Sequence, residues 1–324
     1  MKNQSSYTLS ILIPAYNVEK WIGRCLESIC NQNEEHAEVV IIDDGSTDDT
    51  LLIANRYAKR FPDIRVLQQA NQGVSTTRNR LLEEAQGKYI WFVDADDYIQ
   101  EDCLGMILDY ISHNPNIDLL TLCYRQDGHC LHERQDLFSG SGSDYLLRYT
   151  NDGYLWTKII KREILIGQQI RFNTNLHSQE DWLFLMEIYP WVNILHETNI
   201  KGYIYCSDNA ESIMRKKTAE NDRRNVESSI EALITFKHFM ERYKEQEIYV
   251  AYSRWLNFSA AGLLFCLLPL KWKIRDVNAV IARLREVGIY PIPSTIKWKY
   301  NLFLMIANRQ CLYNILLWVR NIID

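Results

Sequence analysis

The sequence has no C-x-x-C pair, no apolar run at its N-terminus and no glycine-rich phosphate loop, and each absence excludes something. Its eight cysteines (Cys25, Cys30, Cys103, Cys123, Cys130, Cys206, Cys266, Cys311) are scattered and make no dense framework. They read as buried free thiols in a reducing compartment. The polar stretch Met1–Leu9 lacks the hydrophobic segment of a secretion signal, so a cytosolic chain is expected. No G-x-G-x-x-G follows the first strand pattern, which disfavours a dinucleotide oxidoreductase, and no G-x-x-x-x-G-K-[ST] occurs anywhere. The apolar stretch 256–270, broken by Asn257, Ser259 and Pro269, is short for a membrane-spanning helix. Acidic residues are scarce only at one end. Residues 1–247 hold 26 Lys+Arg and 38 Asp+Glu, whereas residues 248–324 hold 10 and 3, for a net charge of −5 overall. An acidic body with a basic, tryptophan-bearing tail argues for an anionic membrane surface before nucleic acid.

What is present is organised around residues 88–98, Lys-Tyr-Ile-Trp-Phe-Val-Asp-Ala-Asp-Asp-Tyr. The β-branched and aromatic run Tyr89–Val93 suits a strand buried on both faces. It stops at Asp94-Ala95-Asp96-Asp97, three carboxylates that repel one another unless something positive sits among them. A hard divalent cation takes carboxylate oxygens and neutralises phosphate as well. A polar turn with one Asp capping the next helix is the plainer alternative.

Upstream, strand patterns at Leu9–Pro14, Glu38–Ile42 and Ile64–Leu67 alternate with helical ones. Asn17 is placed to cap the first helix, Ser46-x-x-Asp49 resembles a capping box for the second, and Gly73 precedes a third from about residue 75 to 86. Pro62 ends the second helix and Gly87 supplies the stop of the third. This alternation predicts an α/β protein with a mostly parallel, Rossmann-like sheet flanked by helices. Ligands then sit outside the carboxyl ends of the strands. Polar clusters fall at those ends: Ala15-Tyr16-Asn17, Asp43-Asp44, Gln69-Ala70-Asn71 and Asp94-Ala95-Asp96. One such end means little, but successive ends imply a site. Without a glycine-rich loop, phosphates there would be met mainly by metal and side chains.

Together the segments 10–17, 41–48, Asn71-Gln72-Gly73 with Arg78-Asn79, and 92–97 resemble family 2 glycosyltransferases over roughly residues 8–215. The resemblance implies the GT-A fold, a nucleotide-sugar donor and inversion at the anomeric carbon. It implies that Pro14, Tyr16 and Asp44, with Asp43 beside them, surround the uracil of a UDP-sugar, and that Arg78 lies near the nucleotide. It makes Asp94 and Asp96 the D-x-D, with Asp96 the chief ligand of a Mn²⁺ or Mg²⁺ ion and Asp97 fixing the following turn. Trp156-Thr157-Lys158 resembles the family's Trp-x-Lys segment, with Thr157 where Asn is common. Trp156 and Lys158 are therefore substrate-side candidates, against the alternative of a core tryptophan beside a solvated basic patch.

Glu180-Asp181, opening an amphipathic helix after Ser178, is by itself most simply a capping box and dipole complement. Placed after the D-x-D, it resembles the Glu-Asp pair that supplies the family's general base, which assigns that role to Asp181 with Glu180 on the substrate side. The two roles coexist, because a carboxylate at a helix N-terminus stays ionised. Tyr203-Ile204-Tyr205 followed by residues 212–217 resembles the loop closing the catalytic domain, with Arg215 or Lys216 reaching the diphosphate.

The expected organisation is a catalytic domain over 1–217, its nucleotide half about 8–112 and its acceptor half about 113–217, followed by a helical region at 218–324. Residues 126–142 read as polar loop. Residues 296–323 read as an interfacial helix pair in peripheral contact with anionic membrane, or as a bundle docked on the catalytic domain. The functional expectation is an inverting, metal-dependent transferase of UDP-hexose or UDP-N-acetylhexosamine to a glycan or lipid-linked glycan, in bacterial cell-surface polysaccharide synthesis at the inner membrane face. Two rivals are a non-catalytic nucleotide-sugar binding protein and a haloacid-dehalogenase-like phosphatase. The second fits poorly, since its D-x-D belongs after a first strand.

Overall fold

A computed structural model describes residues 7–323 apart from 33, 127–128, 132, 134, 149–152, 208–217, 271 and 296–297. The chain opens with β1 (Leu9–Ala15), α1 (Ile22–Cys30), β2 (Ala37–Asp43), α2 (Thr50–Arg60), β3 (Ile64–Gln68), α3 (Val74–Glu84) and β4 (Tyr89–Phe92). The short β5 (Tyr98–Ile99), α4 (Cys103–His113), β6 (Leu119–Gln126), β7 (His129–Leu131), β8 (Ser139–Gly140) and α5 (Gly142–Arg148) follow. Then come β9 (Lys158–Lys161), α6 (Arg162–Gly167), α7 (Glu180–Ile188) and β10 (Leu195–Tyr205). The rest is helical: α8 (Ala219–Met240), α9 (Ile248–Cys266), α10 (Ile274–Glu286), α11 (Trp298–Ala307) and α12 (Gln310–Ile323).

One ten-stranded sheet runs in the order β3-β2-β1-β4-β9-β6-β10-β5, with β7 added to β6 and β8 to β10. The first four strands are parallel, so all four end on the same edge. β1 and β2 are buried along almost their whole length because helices cover both faces, which is why their sequences read as apolar runs rather than alternations. α1 buries Ile22, Cys25, Leu26 and Ile29, the spacing of a single helical stripe. β9 inserts antiparallel to both β4 and β6, an arrangement invisible to strand–helix alternation.

Several local expectations are corrected. Asn17 does not cap α1; its φ is 51°, and its Oδ1 accepts from Thr47 N at 2.8 Å. Ser46 makes no capping box for α2, because its hydroxyl accepts from Asn17 N at 3.0 Å. Gly87 is not a left-handed helix stop. It is required because β1 passes so close that a Cβ would lie 2.6 Å from Ser10 N. The polar stretch 126–142 contains β7 and β8, both too short to read from periodicity. Among the described side chains, Cys266 and Cys311 are exposed, whereas Cys25, Cys103, Cys123 and Cys206 are buried thiols.

The chain divides into two compact units. The first comprises 1–145, 153–174 and 187–215, and the second 146–152, 175–186 and 216–324. The sheet and its core belong to the first. In the second, α8 and α9 pack through Phe236 and Tyr252, whose rings meet edge-on at 5.0 Å. Residues 175–186 join these helices: Trp182 lies 4.8 Å from Phe236, and Tyr252 donates to Met186 O at 2.6 Å. No described helix is long and apolar enough to cross a membrane.

Candidate functional site

The loops that leave β1 and β2 are stitched together. Asp44 N donates to Ala15 O at 2.8 Å, Val18 N to Thr50 Oγ1 at 2.8 Å and Glu19 N to Asp48 Oδ2 at 3.1 Å. Gly45 permits the next layer: with φ 75°, it faces Asn71 N so closely that a Cβ would lie 2.8 Å away. The loop after β3 therefore folds directly over the end of β2.

Asp44 holds that loop. Its Oδ1 accepts from Gln72 N at 2.9 Å and Gln69 Nε2 at 2.8 Å, and its Oδ2 from Gly73 N at 2.9 Å. Gly73 is the N-cap of α3, so the carboxylate lies where the helix dipole favours negative charge. Three of its roughly four lone-pair directions are used by these bonds, two on Oδ1 and one on Oδ2. Asp43 is fully buried; its Oδ2 accepts from Ser46 N at 3.2 Å, and its Oδ1 has no hydrogen bond. Pro14 lies beyond the last β1–β4 pair, where its missing N–H costs that ladder nothing. Tyr16, 48% exposed, presents an aromatic ring at the same edge.

From α3, anchored by Asp44, Arg78 reaches Asp94. Arg78 Nη2 lies 3.2 Å from Asp94 Oδ1, and its guanidinium sits 5.5 Å from the centre of the Phe172 ring. Asn79, next along, fixes Phe172 through both backbone groups: Phe172 N donates to Asn79 Oδ1 at 2.8 Å, and Asn79 Nδ2 donates to Phe172 O at 2.9 Å.

The three carboxylates after β4 are not equivalent. Asp97 is 1% exposed, and both its oxygens point inward, Oδ2 accepting from Tyr203 O–H at 2.7 Å and Oδ1 from Cys206 N at 2.7 Å. Burial first, then the charges of Asp94 and Asp96, push its carboxyl up to about 8. Asp94 and Asp96 remain partly exposed, and Arg24 Nη2 donates to the Asp96 carbonyl at 3.2 Å. Tyr203 O–H also accepts from Asp94 N at 3.1 Å, so one hydroxyl pins two residues of the turn. Among the described residues no three Asp, Glu, His or Cys side chains converge as metal ligands. A hard cation shared with a diphosphate needs only one or two carboxylates, so Asp96 with Asp94 suits one.

Trp156 and Lys158 lie inside. Trp156 stacks on Tyr203 at 4.5 Å and 20°, and on Tyr205 at 5.8 Å and 12°. Lys158 is fully buried, its Nζ donating to Thr157 Oγ1 at 2.7 Å, so the solvated basic patch is not observed. Glu180 and Asp181 occupy the first turn of α7, in the second unit. The capping box from Ser178 does not form. Gln179, at φ 69°, accepts the first helical bond from Leu183 N at 3.1 Å, and the buried Ser178 Oγ has no partner. Arg215 and Lys216 fall outside the described residues.

The family model for glycosyl transferase family 2 matches residues 10–184. The chain belongs to glycosyl transferase family 2. Among its curated relatives, the uncharacterised glycosyltransferase YibD of Escherichia coli K12 is 32% identical over 54% of this chain and 55% of its own length. TarS of Staphylococcus aureus strain Mu50, a poly(ribitol-phosphate) β-N-acetylglucosaminyltransferase, is 28% identical over 84% of this chain and 48% of its own. The chain thus spans about half the length of these two family members. The crystal structure of TarS 1–349 in complex with UDP-GlcNAc superposes with a TM-score of 0.73 at 23% identity, covering 95% of this chain and 90% of that one. The mannosyltransferase PcManGT of Pyrobaculum calidifontis, in complex with GDP-Man and Mn²⁺, gives 0.54 at 16% identity over 98% and 87%. The fold of this family 2 chain is GT-A, with a helical C-terminal region.

Sequence reading met Tyr203 and Asn79 only as members of resembling segments, without their supporting roles, and it missed Ser228 altogether. Ser228 Oγ accepts from His177 N and Ser178 N at 2.9 Å each and donates to Ser178 O at 2.7 Å, holding the segment that starts α7. A buried tyrosine must find a partner for its hydroxyl, which is the signal that singles out Tyr203. A serine in mid-helix carries no comparable signal.

Proposed function

We propose that this family 2 enzyme transfers a hexosyl or N-acetylhexosaminyl group from a UDP-sugar to a hydroxyl of a glycan or lipid-linked glycan, with inversion, in bacterial cell-surface polysaccharide synthesis. The observation that carries the reading is the strand-end cluster in which Asp44 anchors α3, α3 presents Arg78, and Arg78 pairs with Asp94 beside Asp96. Tyr16 offers a ring face to the uracil, and Asp44 accepts its N–H. Arg78, restrained by Phe172 and Asp94, adds positive charge near the phosphates. Asp96, with Asp94, would hold Mn²⁺ or Mg²⁺, which supplies counter-charge to the diphosphate and Lewis acidity toward the leaving nucleotide. Asp97, turned inward, keeps the turn in place.

In the transfer, the acceptor oxygen bonds to the anomeric carbon from the face opposite the departing UDP, and the bond from that carbon to the β-phosphate oxygen breaks. Asp181, in the first turn of α7, takes the hydroxyl proton. TarS acts as an N-acetylglucosaminyltransferase and was crystallised with UDP-GlcNAc, which makes UDP-GlcNAc the first donor to try.

Two variants test the reading together, with slow donor hydrolysis read as UDP release. Asp181→Asn keeps shape but cannot accept the proton, so UDP affinity should hold while turnover falls 10²–10⁴-fold, about 3–5 kcal/mol of barrier. Asp96→Ala should instead lose the Mn²⁺-dependent stabilisation by UDP, worth about 2.7 kcal/mol at a hundred times Kd. Turnover of Asp181→Asn within a few-fold of the parent moves the base elsewhere, with Glu180 next. Unchanged Mn²⁺-dependent UDP binding in Asp96→Ala removes the D-x-D assignment.

A further inference from the structure

The last two helices each carry two apolar faces. The inner one is used for folding. Leu304, Ala307, Tyr313 and Leu317 are buried, Tyr313 donates to Leu264 O at 2.5 Å, and Phe303 meets Phe265 edge-on at 5.5 Å. The outer one faces solvent. On α11, Trp298, Leu302 and Met305 recur at helical spacing with exposures of 70%, 60% and 68%. On α12, Ile315 and Trp318 are likewise exposed, at 55% and 58%. Single exposed apolar residues need no explanation, but successive helices bearing such stripes do. The helices are held from their inner side, so nothing in their folding requires the outer stripe.

Charge indicates what covers it. From residue 287 to residue 323 the sequence has no Asp or Glu, and it has four basic residues: Lys297, Lys299, Arg309 and Arg320. Lys299 and Arg309 are exposed, and Lys299 Nζ lies 5.9 Å from the centre of the Trp298 ring. Tryptophan with lysine or arginine at the rim of an aliphatic surface is the composition of a protein lying in a lipid headgroup layer. A second copy of the chain would meet this face with the same basic residues and no acid among them. A spanning role is excluded for the described helices by their length and polarity.

We propose that the outer face of α11 and α12 docks on the surface of an anionic lipid bilayer. Its tryptophan and aliphatic side chains enter the headgroup–acyl boundary, and its basic residues meet acidic headgroups. The acceptor of the transfer reaction then needs to be carried on, or delivered to, that surface.

The test uses the full chain and sedimented phosphatidylcholine vesicles with and without phosphatidylglycerol. The parent should bind the anionic vesicles, and binding should weaken as salt rises, since screening acts over about 8–10 Å near physiological ionic strength. Trp298→Gln with Met305→Gln and Trp318→Gln should lower the partition at least tenfold while the thermal melt stays that of the parent. Lys299→Gln with Arg309→Gln, a milder variant, should lower it roughly fivefold per residue, the equivalent of about 1 kcal/mol each. Four outcomes overturn the proposal. They are no binding by the parent, equal binding to neutral vesicles, equal binding by the triple variant, and a parent dimer that the triple variant dissociates without any lipid binding. None of these readouts involves sugar transfer, so failure here leaves the catalytic reading standing.

Discussion

Tyr203 and Asp97 form the least exposed part of the D-x-D turn and the part on which its geometry depends. The Tyr203 hydroxyl donates to Asp97 and accepts from Asp94 N, while its ring is clamped against Trp156. Tyr203→Phe keeps the ring stack and removes only the hydroxyl. It leaves a buried carboxylate oxygen and a backbone N–H without their partner, a loss of about 1–3 kcal/mol. The expected result is a thermal midpoint lowered by several degrees and Mn²⁺-dependent UDP binding weaker by roughly tenfold, in a chain whose secondary structure is unchanged. A Tyr203→Phe chain equal to the parent in both would show that the hydroxyl does not hold the turn. The run Asp-x-Asp-Asp was legible in the sequence as a carboxylate cluster. Which of its members faces solvent was not, because Asp97 is turned inward by partners more than a hundred residues away.

At the scale of elements, the four strand–helix units of the nucleotide half are readable because each is set by residues close in sequence. The apolar run, the turn chemistry and the helical stripe follow one another. The helix starts were misread for a physical reason. Asn17 and Ser46 have the side chains of N-caps, but each finds a better partner in the other's loop than in its own helix. α7 shows the same effect with more consequence. Its first turn carries Glu180 and Asp181, and the segment before it is held by Ser228 on α8 through His177 N, Ser178 N and Ser178 O. Ser228→Ala deprives two backbone N–H groups, that of Ser178 buried and that of His177 partly so, of their acceptor and loosens the start of α7. In the proposed site the donor is held by other elements, so UDP affinity should stay within a few-fold while UDP release slows at least tenfold. A shift of about 1 Å can lower turnover 10²-fold. Unchanged turnover in Ser228→Ala would mean that α7 is positioned without it.

The whole molecule is two units interlaced along the chain. α5 and α7 both straddle the division, their N- and C-terminal parts belonging to different units. Two helices running across the division lead us to expect that the units melt together. Calorimetry should show one cooperative transition, and UDP with Mn²⁺ should raise it as a whole. Two resolved transitions, of which the ligands move only one, would show instead that the units melt separately.

By itself the sequence determined the α/β class, the carboxylate turn after the fourth strand and the family. It did so because these rest on contiguous residues: a buried parallel strand is apolar throughout, and the carboxylates of the Asp-x-Asp-Asp turn are neighbours in sequence. It also determined the charge of the tail, which needs only counting. The tertiary structure decided the rest. It turned Asp97 inward, buried Lys158, laid β9 antiparallel between β4 and β6, grouped the N-terminal part of α7 with the C-terminal helices, and chose which faces of α11 and α12 stay uncovered. Each of these turns on a contact between residues far apart, such as Tyr203 with Asp97 across 106 positions or Ser228 with His177 across 51. Periodicity and spacing describe a chain's neighbours in sequence. A hydrogen bond or a buried face is settled by neighbours in space, which only the folded chain supplies.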